Sequence, residues 1–283
     1  MIAITRELTS AIARCELTHL ARSRIDVATS QREHAAYERA LQAAGCTIER
    51  VHANDTMPDA VFIEDTAVVL DELAVITRPG AESRRAETSG VATALAHHRT
   101  LATIAAPGTL DGGDVLCIGR RILVGQSPRS NDDGIAQLGA IVAPYGYSVE
   151  TVPFQGCLHL KSAVTLVAPD LALINPAWLD ASVLGNVRTI EVDAAEPHAA
   201  NALLIGDIVI YPAEHRATAA LLELAGIELR RVPAGELAKA EGGVTCCCLL
   251  VTEVRLSSPP AGQRTAPQSV LQLEHPHSTP HRQ

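Results

Sequence analysis

Hydrophobic runs along this chain are short and come in pairs. Residues 61–77 read VFIEDTAVVLDELAVIT, in which an Asp-Glu pair separates two apolar runs. Related patterns recur at residues 114–125, 162–176, 201–212 and 244–256. Short apolar runs separated by Gly, Pro or Asp predict β-hairpins. We therefore expect five hairpins, with residues 2–5 forming a further strand beside the last one.

Alanine-rich stretches with helical character separate the hairpins, at residues 34–44, 82–97, 133–145, 214–225 and 235–240. The hairpins begin roughly 40–50 residues apart, a spacing typical of units repeated around an axis. This order predicts one propeller-like α/β domain of five strand–strand–helix units with the helices outside. An ordinary α+β fold stays open as the alternative, because the units share negligible sequence identity.

The last part of the chain has a different composition. Residues 257–283 are rich in Pro, Ser, Gln and His. Such a segment cannot bury enough apolar surface to fold, so we expect a catalytic domain at residues 1–256 followed by a disordered tail. Incidental histidines in a flexible tail explain this composition better than a metal site does.

Composition restricts the class of protein. Hydrophobic residues make up 47% of the chain and charged residues 19%, as in ordered globular proteins. The net charge of −9 argues against binding to nucleic acid or to an anionic membrane. No signal peptide or membrane-spanning run is visible. The seven cysteines follow no disulfide or zinc pattern, so we expect a reducing, cytoplasmic location.

One histidine and one cysteine cluster are candidates for chemistry. His159 lies in GCLHLKSAVTL, directly before a predicted strand, whereas most other histidines lie in predicted helices or in the tail. Cys246, Cys247 and Cys248 follow two glycines in EGGVTCCCLL, where a nucleophile could be presented. Buried structural cysteines and a solvated histidine are the alternatives that the spacing leaves open.

Acidic residues cluster next to two of the predicted strands. MPDAVFIEDTAVV contains Asp59, Glu64 and Asp65, and GTLDGGDVL contains Asp111 and Asp114. Carboxylates beside an apolar strand are costly to bury unless they are paired, and a cationic ligand could pair with them. Solvated turn caps are the alternative.

Arginines follow the second run of two successive hairpins. Arg84 and Arg85 lie in ITRPGAESRRAE, and Arg129 lies in GQSPRSN. The planar guanidinium group suits recognition of a carboxylate by two hydrogen bonds. Surface ion pairs would explain the same residues.

Seven segments together resemble the dimethylarginine dimethylaminohydrolase family of the guanidine-modifying (amidinotransferase) superfamily. They occur in the family's order, cover roughly residues 1–256, and read PDAVFIEDTAVV, ITRPGAESRRAE, APGTLDGGDVL, GQSPRSN, LHLKS, NALLIGDIVIYP and KAEGGVTCC. The resemblance implies a five-bladed, pseudo-symmetric α/β-propeller, the pentein fold, built from ββαβ-type units.

The resemblance also implies roles for individual residues. Cys246 matches the nucleophile, His159 the general acid–base, and Asp111 the acid that supports the histidine, where some relatives have Glu. Cys247 and Cys248 fall where the family has Met or Cys and then Ser. The positions that match the family's substrate-binding residues are Leu17, Asp59, Glu64, Asp65, Arg84, Arg129 and Ala240.

The implied activity is hydrolysis of methylated arginine, a small cationic substrate, to citrulline and methylamine or dimethylamine, without metal or organic cofactor. Arginine deimination is the alternative within the superfamily, although that family typically carries an inserted helical domain. A catalytically silent guanidine-binding protein is another alternative, and Cys246 with His159 could capture Zn²⁺ as an inhibitor. The oligomeric state is left open, with a homodimer as one option.

Overall fold

The computed structural model describes residues 1–252, so residues 253–256 of the expected domain and the expected tail lie outside the described residues. The strands are β1 Ile2–Arg6, β2 Thr47–Val51, β3 Ala67–Val69, β4 Leu73–Ile76, β5 Thr100–Thr103, β6 Val115–Ile118, β7 Arg121–Gly125, β8 Ser148–Val152, β9 Val164–Ala168, β10 Leu171–Ile174, β11 Arg188–Glu191, β12 Leu203–Ile205, β13 Ile208–Pro212, β14 Glu228–Val232 and β15 Leu249–Val251. The helices are α1 Val27–Ala43, α2 Thr88–Leu95, α3 Asp132–Val142, α4 Leu160–Ala163, α5 Arg216–Leu224 and α6 Gly235–Ala238. None of these helices combines the length and the apolar character needed to cross a lipid bilayer.

The strands form five sheets of three strands each, in the orders β3-β4-β5, β6-β7-β8, β9-β10-β11, β12-β13-β14 and β15-β1-β2. In every sheet the first two strands are antiparallel and the third is parallel to the second. A helical segment connects the second strand to the third, and in the β10–β11 connection it is only the 3₁₀ turn Ala181–Leu184. These are the expected ββαβ units of a five-bladed α/β-propeller, so the fold prediction is confirmed.

The fifth blade differs from the expected local hairpin. Residues 244–248 form a turn, and only Leu249–Val251 is extended. The antiparallel partner of β15 is β1, where Ile2 pairs with Val251 and Ile4 with Leu249. Strands from opposite ends of the described residues therefore close the ring. This pairing satisfies one edge of β15 and confirms the expected strand at the start of the chain.

The sequence patterns missed the third strand of each blade: β2, β5, β8, β11 and β14. These strands are mostly polar or partly exposed; Glu228–Val232, for example, reads ELRRV and buries only Val232. Each pairs on one side with a strongly apolar strand, and this pairing supplies the hydrogen bonds that make it extended. An edge strand with one solvent-exposed face lacks the continuous apolar run that predicts a buried strand.

The hydrophobic core lies between neighbouring blades as five separate clusters. The cluster between the second and third sheets along the chain, for example, contains Leu123, Val164 and Ile174. Nearly all members are Ala, Val, Leu and Ile, as expected from an aromatic content of only 2%. Small aliphatic side chains let the narrow blades approach each other closely around the axis.

We call the first strand of each sheet its inner strand; the five inner strands are β3, β6, β9, β12 and β15. Side chains from all five line a cavity of about 290 Å³, among them Val68, Leu116, Leu166, Leu204 and Leu250. The inner strands therefore surround the propeller axis. The turns that lead into them necessarily lie close together at one end of that axis.

Gly112 allows two of these turns to pack directly on each other. A Cβ atom at Gly112 would lie 2.0 Å from the carbonyl oxygen of Glu64, which belongs to the backbone of the neighbouring turn. We expect Gly112→Ala to lower the free energy of unfolding by about 1–3 kcal/mol, because backbone atoms must shift to relieve the contact. Chemical denaturation followed by circular dichroism measures this change.

Gly139 in α3 provides the matched control. A Cβ there would meet only Val149, at 3.8 Å, an ordinary contact. Gly139→Ala should raise stability by about 0.5–1 kcal/mol, as usual for alanine in a helix. Equal effects of the two substitutions would contradict the close packing of the turns.

Candidate active site

The candidate site is built from the five turns that precede the inner strands. These turns carry Asp65, Asp111, His159, Asn201 and Cys246, respectively, in chain order. Each residue comes from a different blade, so residues up to 181 positions apart in sequence are brought to one end of the axis. One turn from each blade therefore contributes a side chain to the site.

Hydrogen bonds join the five turns into a closed ring. The Gly113 amide donates to Asp65 Oδ1 at 3.0 Å, and the Leu160 amide donates to Asp114 Oδ1 at 3.1 Å. The Asn201 side chain makes the next two links, because its amide group donates to the Lys161 carbonyl at 3.0 Å and accepts from the Thr245 amide at 3.0 Å. The Glu64 amide closes the ring by donating to the Cys246 carbonyl at 3.0 Å. The relative positions of the site residues are therefore set by direct bonds between turns.

Cys246 is buried in a tight turn of its own. Its Sγ accepts a hydrogen bond from the Gly243 amide at 3.3 Å, and its own amide donates to the Gly243 carbonyl at 3.2 Å. The Tyr37 hydroxyl of α1 donates to the Val244 carbonyl at 2.7 Å and thereby attaches this turn to α1. Cys247 and Cys248 are buried in the apolar core beside it. The turn thus presents only the first of the three thiols to the site cavity.

His159 lies at the start of α4 and contacts two carboxylates. Its Nε2 lies 3.1 Å from Asp111 Oδ2, and its Nδ1 lies 3.8 Å from Asp65 Oδ1. Asp111 is held in turn, because its Oδ1 accepts from the Gly80 amide at 2.9 Å. Gly113 makes this arrangement fit, since a Cβ there would lie 2.8 Å from the His159 ring. The imidazole is thus fixed between two acids.

Asp65 links the histidine to Arg84. Arg84 Nη1 donates to Asp65 Oδ2 at 2.5 Å, and Arg84 also pairs with Glu87 at 2.8 Å and donates to the carbonyls of Asp59 and Phe62. Burial alone would raise the pKa of Asp65, but the charges of His159 and Arg84 outweigh it and hold that pKa below its usual value. Asp65 is therefore an anion in the folded protein.

Asp114 connects the backbone next to His159 with the segment that carries Arg129. Its Oδ2 accepts from the hydroxyls of Ser127 and Ser130, at 2.5 and 2.7 Å, while its Oδ1 accepts from the Leu160 amide. Ser130 also accepts a hydrogen bond from the Asp111 amide at 3.1 Å. Burial raises the pKa of Asp114. This carboxyl supports the site without lining its cavity.

The surroundings favour the protonated form of both reactive groups, His159 and Cys246. Burial by itself lowers the pKa of His159, but Asp65, the hydrogen bond to Asp111, and Asp114 together raise it to about 9. Burial, together with Glu64 and Asp65, raises the pKa of the Cys246 thiol to about 12. At neutral pH the protein without ligand therefore contains an imidazolium and a neutral thiol.

Cys246 and His159 line the same cavity. Most of the sequence-predicted site residues line it too: Asp59, Asp65, Arg84, Asp111, Arg129 and Ala240. Its volume is about 20 Å³, which holds one or two water molecules, since one water needs about 10–15 Å³. A larger cavity of about 400 Å³ adjoins it, and Leu158, Glu241 and Gly242 line both. The site is thus closed and lies next to open space.

Two of the predicted residues do not line this cavity. Glu64 binds Lys161 Nζ at 2.6 Å and the Thr245 hydroxyl at 2.8 Å, and it lines the axial cavity among the inner strands. Leu17 is half-buried, and its neighbour Glu16 lines the site instead. Glu64 therefore supports the turn that carries Cys246, where it neutralises Lys161.

Asp59 and Arg129 both form hydrogen bonds with the loop at residues 16–20. Both oxygens of Asp59 lie 3.2 Å from the Glu16 amide, and Arg129 Nη2 donates to the Thr18 hydroxyl at 3.2 Å. Burial raises the pKa of Asp59 to about 6, and the charge of Arg84 only partly offsets it. These two residues thus hold a loop where the resemblance implies that they hold substrate.

Sequence reasoning missed Asn201, Lys161, Thr245 and Glu241. Asn201 begins a predicted hairpin and, like His159, lies in the segment that precedes an inner strand. The signal that could have found it is position, because each turn before an inner strand contributes to the ring. Lys161 and Thr245 are neighbours of predicted residues, but their partners lie in other blades.

The side chains of Asp65, Asp111 and His159 lie close enough to share a metal ion, since their ligand atoms are within 4.8 Å of one another. Metal ligation requires a neutral imidazole. The raised pKa of His159 keeps the ring protonated at neutral pH instead. The electrostatics of the group therefore suit a proton donor better than a metal centre.

Comparison with known proteins agrees with this site. Residues 9–202 match the family profile described as arginine deiminase. The chain is 39% identical to N(G),N(G)-dimethylarginine dimethylaminohydrolase of Streptomyces coelicolor over 89% of this chain and 97% of that protein. The protein of the same name from Pseudomonas aeruginosa is 32% identical, over 79% and 89%. A solved structure of a cysteine-to-serine variant of the Pseudomonas aeruginosa protein, complexed with citrulline, superposes with a TM-score of 0.84 at 30% identity, covering 87% of this chain and 97% of that one.

A thiol, a histidine and carboxylates at one end of a five-bladed α/β-propeller define a guanidine-modifying hydrolase. Within that class, the chain belongs to the dimethylarginine dimethylaminohydrolase family.

The pKa of His159 provides a test of the site's electrostatics. We expect an NMR titration of labelled histidine to give a midpoint near 9 for His159. Because this pKa is raised above the unfolded value of about 6.5, the resulting stabilisation is fully present below about pH 6.5 and is lost as pH rises through about 9. Asp111→Asn should lower the midpoint, since it removes the hydrogen-bonded anion.

Asp170→Asn is the control, because Asp170 is an exposed acid paired with Arg188 and should leave the midpoint unchanged. A wild-type midpoint at or below 6.5 would show that Asp65 and Asp111 do not hold the imidazolium.

Proposed function

We propose that this chain hydrolyses N-omega-methylated arginine, asymmetric dimethylarginine and monomethylarginine, to citrulline and dimethylamine or methylamine. The observation that carries the proposal is the shared cavity of Cys246, His159 and Asp65, a nucleophile, a proton donor and an anion for the substrate's cation. Relatives with this named activity, at 39% and 32% identity, support it.

The guanidinium group binds to the acids beside His159. Asp65 and Asp111 are buried and lie on either side of the imidazole, so they can hold a planar cation in one orientation. Glu64 is less suited to this role, because it lines the axial cavity rather than the cavity of Cys246 and His159, and it is paired there with Lys161.

The amino-acid end of the substrate lies toward the loop at residues 16–20. Asp59 suits the α-ammonium group and Arg129 suits the carboxylate, and both become available when the loop contacts are exchanged for substrate. The carbonyls of Leu17 and Ala240 complete this part of the site. Arg84 acts through Asp65, since its donors reach that carboxylate, Glu87 and two carbonyls.

The first half of the reaction breaks the C–N bond. A bound cation lowers the pKa of the Cys246 thiol, which releases its proton to water, and the thiolate attacks the central guanidinium carbon. Protonated His159 gives its proton to the leaving nitrogen, and neutral methylamine or dimethylamine departs. An S-alkylthiouronium on Cys246 remains.

The second half releases citrulline. Neutral His159 removes a proton from water, and the oxygen of that water attacks the thiouronium carbon. The tetrahedral adduct collapses as the C–S bond breaks, and the proton of its hydroxyl group passes to the Cys246 thiolate, which leaves the neutral ureido group of citrulline. His159 is protonated again and Cys246 is again a thiol, so the site returns to its starting state.

A cytoplasmic location also belongs to the proposal, whereas the oligomeric state stays open, with a homodimer as one option. All seven cysteines are free in the structure, which supports a reducing compartment. Fractionation of the native host and light scattering of the pure protein test these two points.

A substrate panel tests the proposed function. We expect equimolar citrulline and amine from asymmetric dimethylarginine and monomethylarginine, and much slower ammonia release from arginine; agmatine and citrulline serve as blanks. Cys246→Ser should lower kcat by roughly 10³-fold or more with unchanged circular dichroism, because the hydroxyl is a poorer nucleophile. Preferred turnover of arginine would identify a deiminase instead, and ligand binding without turnover would identify a binding protein.

Alkylation of Cys246 tests activation of the thiol by a bound cation. Near pH 7.5 a haloacetamidine, which carries a positive charge, should modify Cys246 about tenfold or more faster than the neutral haloacetamide, after correction for their rates with free cysteine. Mass spectrometry of the Cys246 peptide measures both rates. Asp65→Asn should reduce the preference, because it removes the anion that attracts the amidinium. Equal corrected rates in the wild type would exclude this form of activation.

A further inference from the structure

The loop at residues 16–20 borders the site cavity through Glu16, borders the adjoining larger cavity through His19 and Leu20, and is held by three separate groups. Asp59 accepts from the Glu16 amide and Arg129 donates to the Thr18 hydroxyl. The third group, Glu241, has no role in the proposed hydrolysis reaction. A cavity of about 20 Å³ cannot admit an arginine derivative unless some of its lining moves, and this loop lines both that cavity and the larger one beside it.

Glu241 makes the most extensive contact with the loop. One carboxylate accepts hydrogen bonds from three consecutive backbone amides, those of Thr18 at 3.0 Å, His19 at 2.5 Å and Leu20 at 2.5 Å. Successive amides that converge on one anion form a nest, in which each donor is satisfied by the same charge. This contact joins residues more than 220 positions apart in sequence, from opposite ends of the described chain.

The backbone at Glu241 is in an unfavourable conformation. Its φ of 59° makes it the only non-glycine residue with positive φ in residues 1–252. The next two residues are Gly242 and Gly243, and neither has positive φ. The chain therefore places a side chain, rather than an adjacent glycine, in the left-handed region, where a Cβ atom is disfavoured. Such strain persists where the surrounding contacts require it.

We propose that Glu241 is a positioning residue that holds the loop at residues 16–20 closed over bound substrate. The proposal rests on the proposed function, in which Asp59 and Arg129 exchange their loop contacts for the substrate's ammonium and carboxylate groups. Once that exchange has occurred, Glu241 is the one of the three groups that continues to hold the loop. It follows Ala240, whose carbonyl lies at the substrate's amino-acid end, so the same segment contacts substrate and loop.

This role has a kinetic signature that a direct substrate contact lacks. Loss of the Glu241 carboxylate makes loop opening easier both with and without ligand. Association and dissociation rate constants should therefore rise together, whereas loss of a residue that only binds substrate raises the dissociation rate alone. In turnover, equal rises in both rate constants leave the affinity for substrate unchanged, so kcat/KM should not fall, and the chemical step at Cys246 keeps its own groups.

Glu241→Gly separates the side chain from the backbone. Glycine is comfortable at a φ of 59°, so the variant should keep its melting temperature while losing the loop contact. Hydrogen exchange in the absence of ligand should show faster exchange at the amides of residues 18–20. In the Cys246→Ser background, asymmetric dimethylarginine should associate and dissociate about tenfold faster than in Cys246→Ser alone.

Two further variants complete the experiment. Glu241→Gln keeps one amide oxygen as an acceptor and should fall between wild type and Glu241→Gly in all readouts. Glu214→Gln removes a nearby charge that accepts from the Ala234 amide and contacts no residue of the loop, so it should behave like wild type.

The two hypotheses fail in different ways. Native exchange at residues 18–20 in Glu241→Gly would overturn the role of Glu241, as would a dissociation rate that rises without the association rate. Absence of methylarginine binding and turnover in the wild type would overturn the proposed function, while exchange at residues 18–20 would still report on the contact itself.

Discussion

The ring of hydrogen bonds between the five turns is the constraint on which the site depends. Each link joins neighbouring blades, and the last link, from the Glu64 amide to the Cys246 carbonyl, joins the first turn to the fifth. A buried polar group that loses its partner costs about 1–3 kcal/mol, so no single turn can move without breaking bonds on both sides. The ring fixes the position of the Cys246 thiol relative to the His159 imidazole, although the two residues belong to different blades and are far apart in sequence.

Charge balance follows from that arrangement. Six carboxyl groups and four cationic groups are buried or nearly so in the turns and in the ion pairs behind them. The acids are Asp59, Glu64, Asp65, Glu87, Asp111 and Asp114, and the cations are Arg6, Arg84, His159 and Lys161. The excess is negative. Burial is the main cause of the pKa of about 6 at Asp59 and of the raised pKa of Cys246, and at Cys246 the charges of Glu64 and Asp65 add to it. A cationic ligand restores the balance, so the same field that suppresses the thiolate in the free protein favours binding of a guanidinium group.

Closure of the loop at residues 16–20 complements this electrostatic arrangement. A buried site strengthens every charge interaction within it, and in the proposed mechanism it keeps bulk water from the thiouronium until His159 activates one molecule. The structure thus combines a rigid ring, which sets the reacting groups, with a loop held at its rim by hydrogen bonds. The ring of turns keeps the reacting groups rigid, whereas the loop controls access to them.

Local patterns were sufficient for four of the five hairpins and for most of the helices. Paired apolar runs with Gly, Pro or Asp between them determine such hairpins through short-range geometry, and the order of the seven motifs indicated the family, with Cys246, His159 and Asp111 among its residues. The polar third strands were not visible, because each is extended only through pairing with an apolar neighbour.

Contacts between distant segments could be found only from the three-dimensional structure. The local sequence fixes which residue types precede each inner strand. The pairing of β15 with β1, in contrast, depends on closure of the ring. The occupation of Glu64 by Lys161 and Thr245, the two links made by Asn201 and the loop contact of Glu241 likewise join residues from separate blades or from opposite ends of the chain. Local sequence encodes backbone preference and burial; the partner of a buried charge depends on which segments the fold brings within a few ångströms.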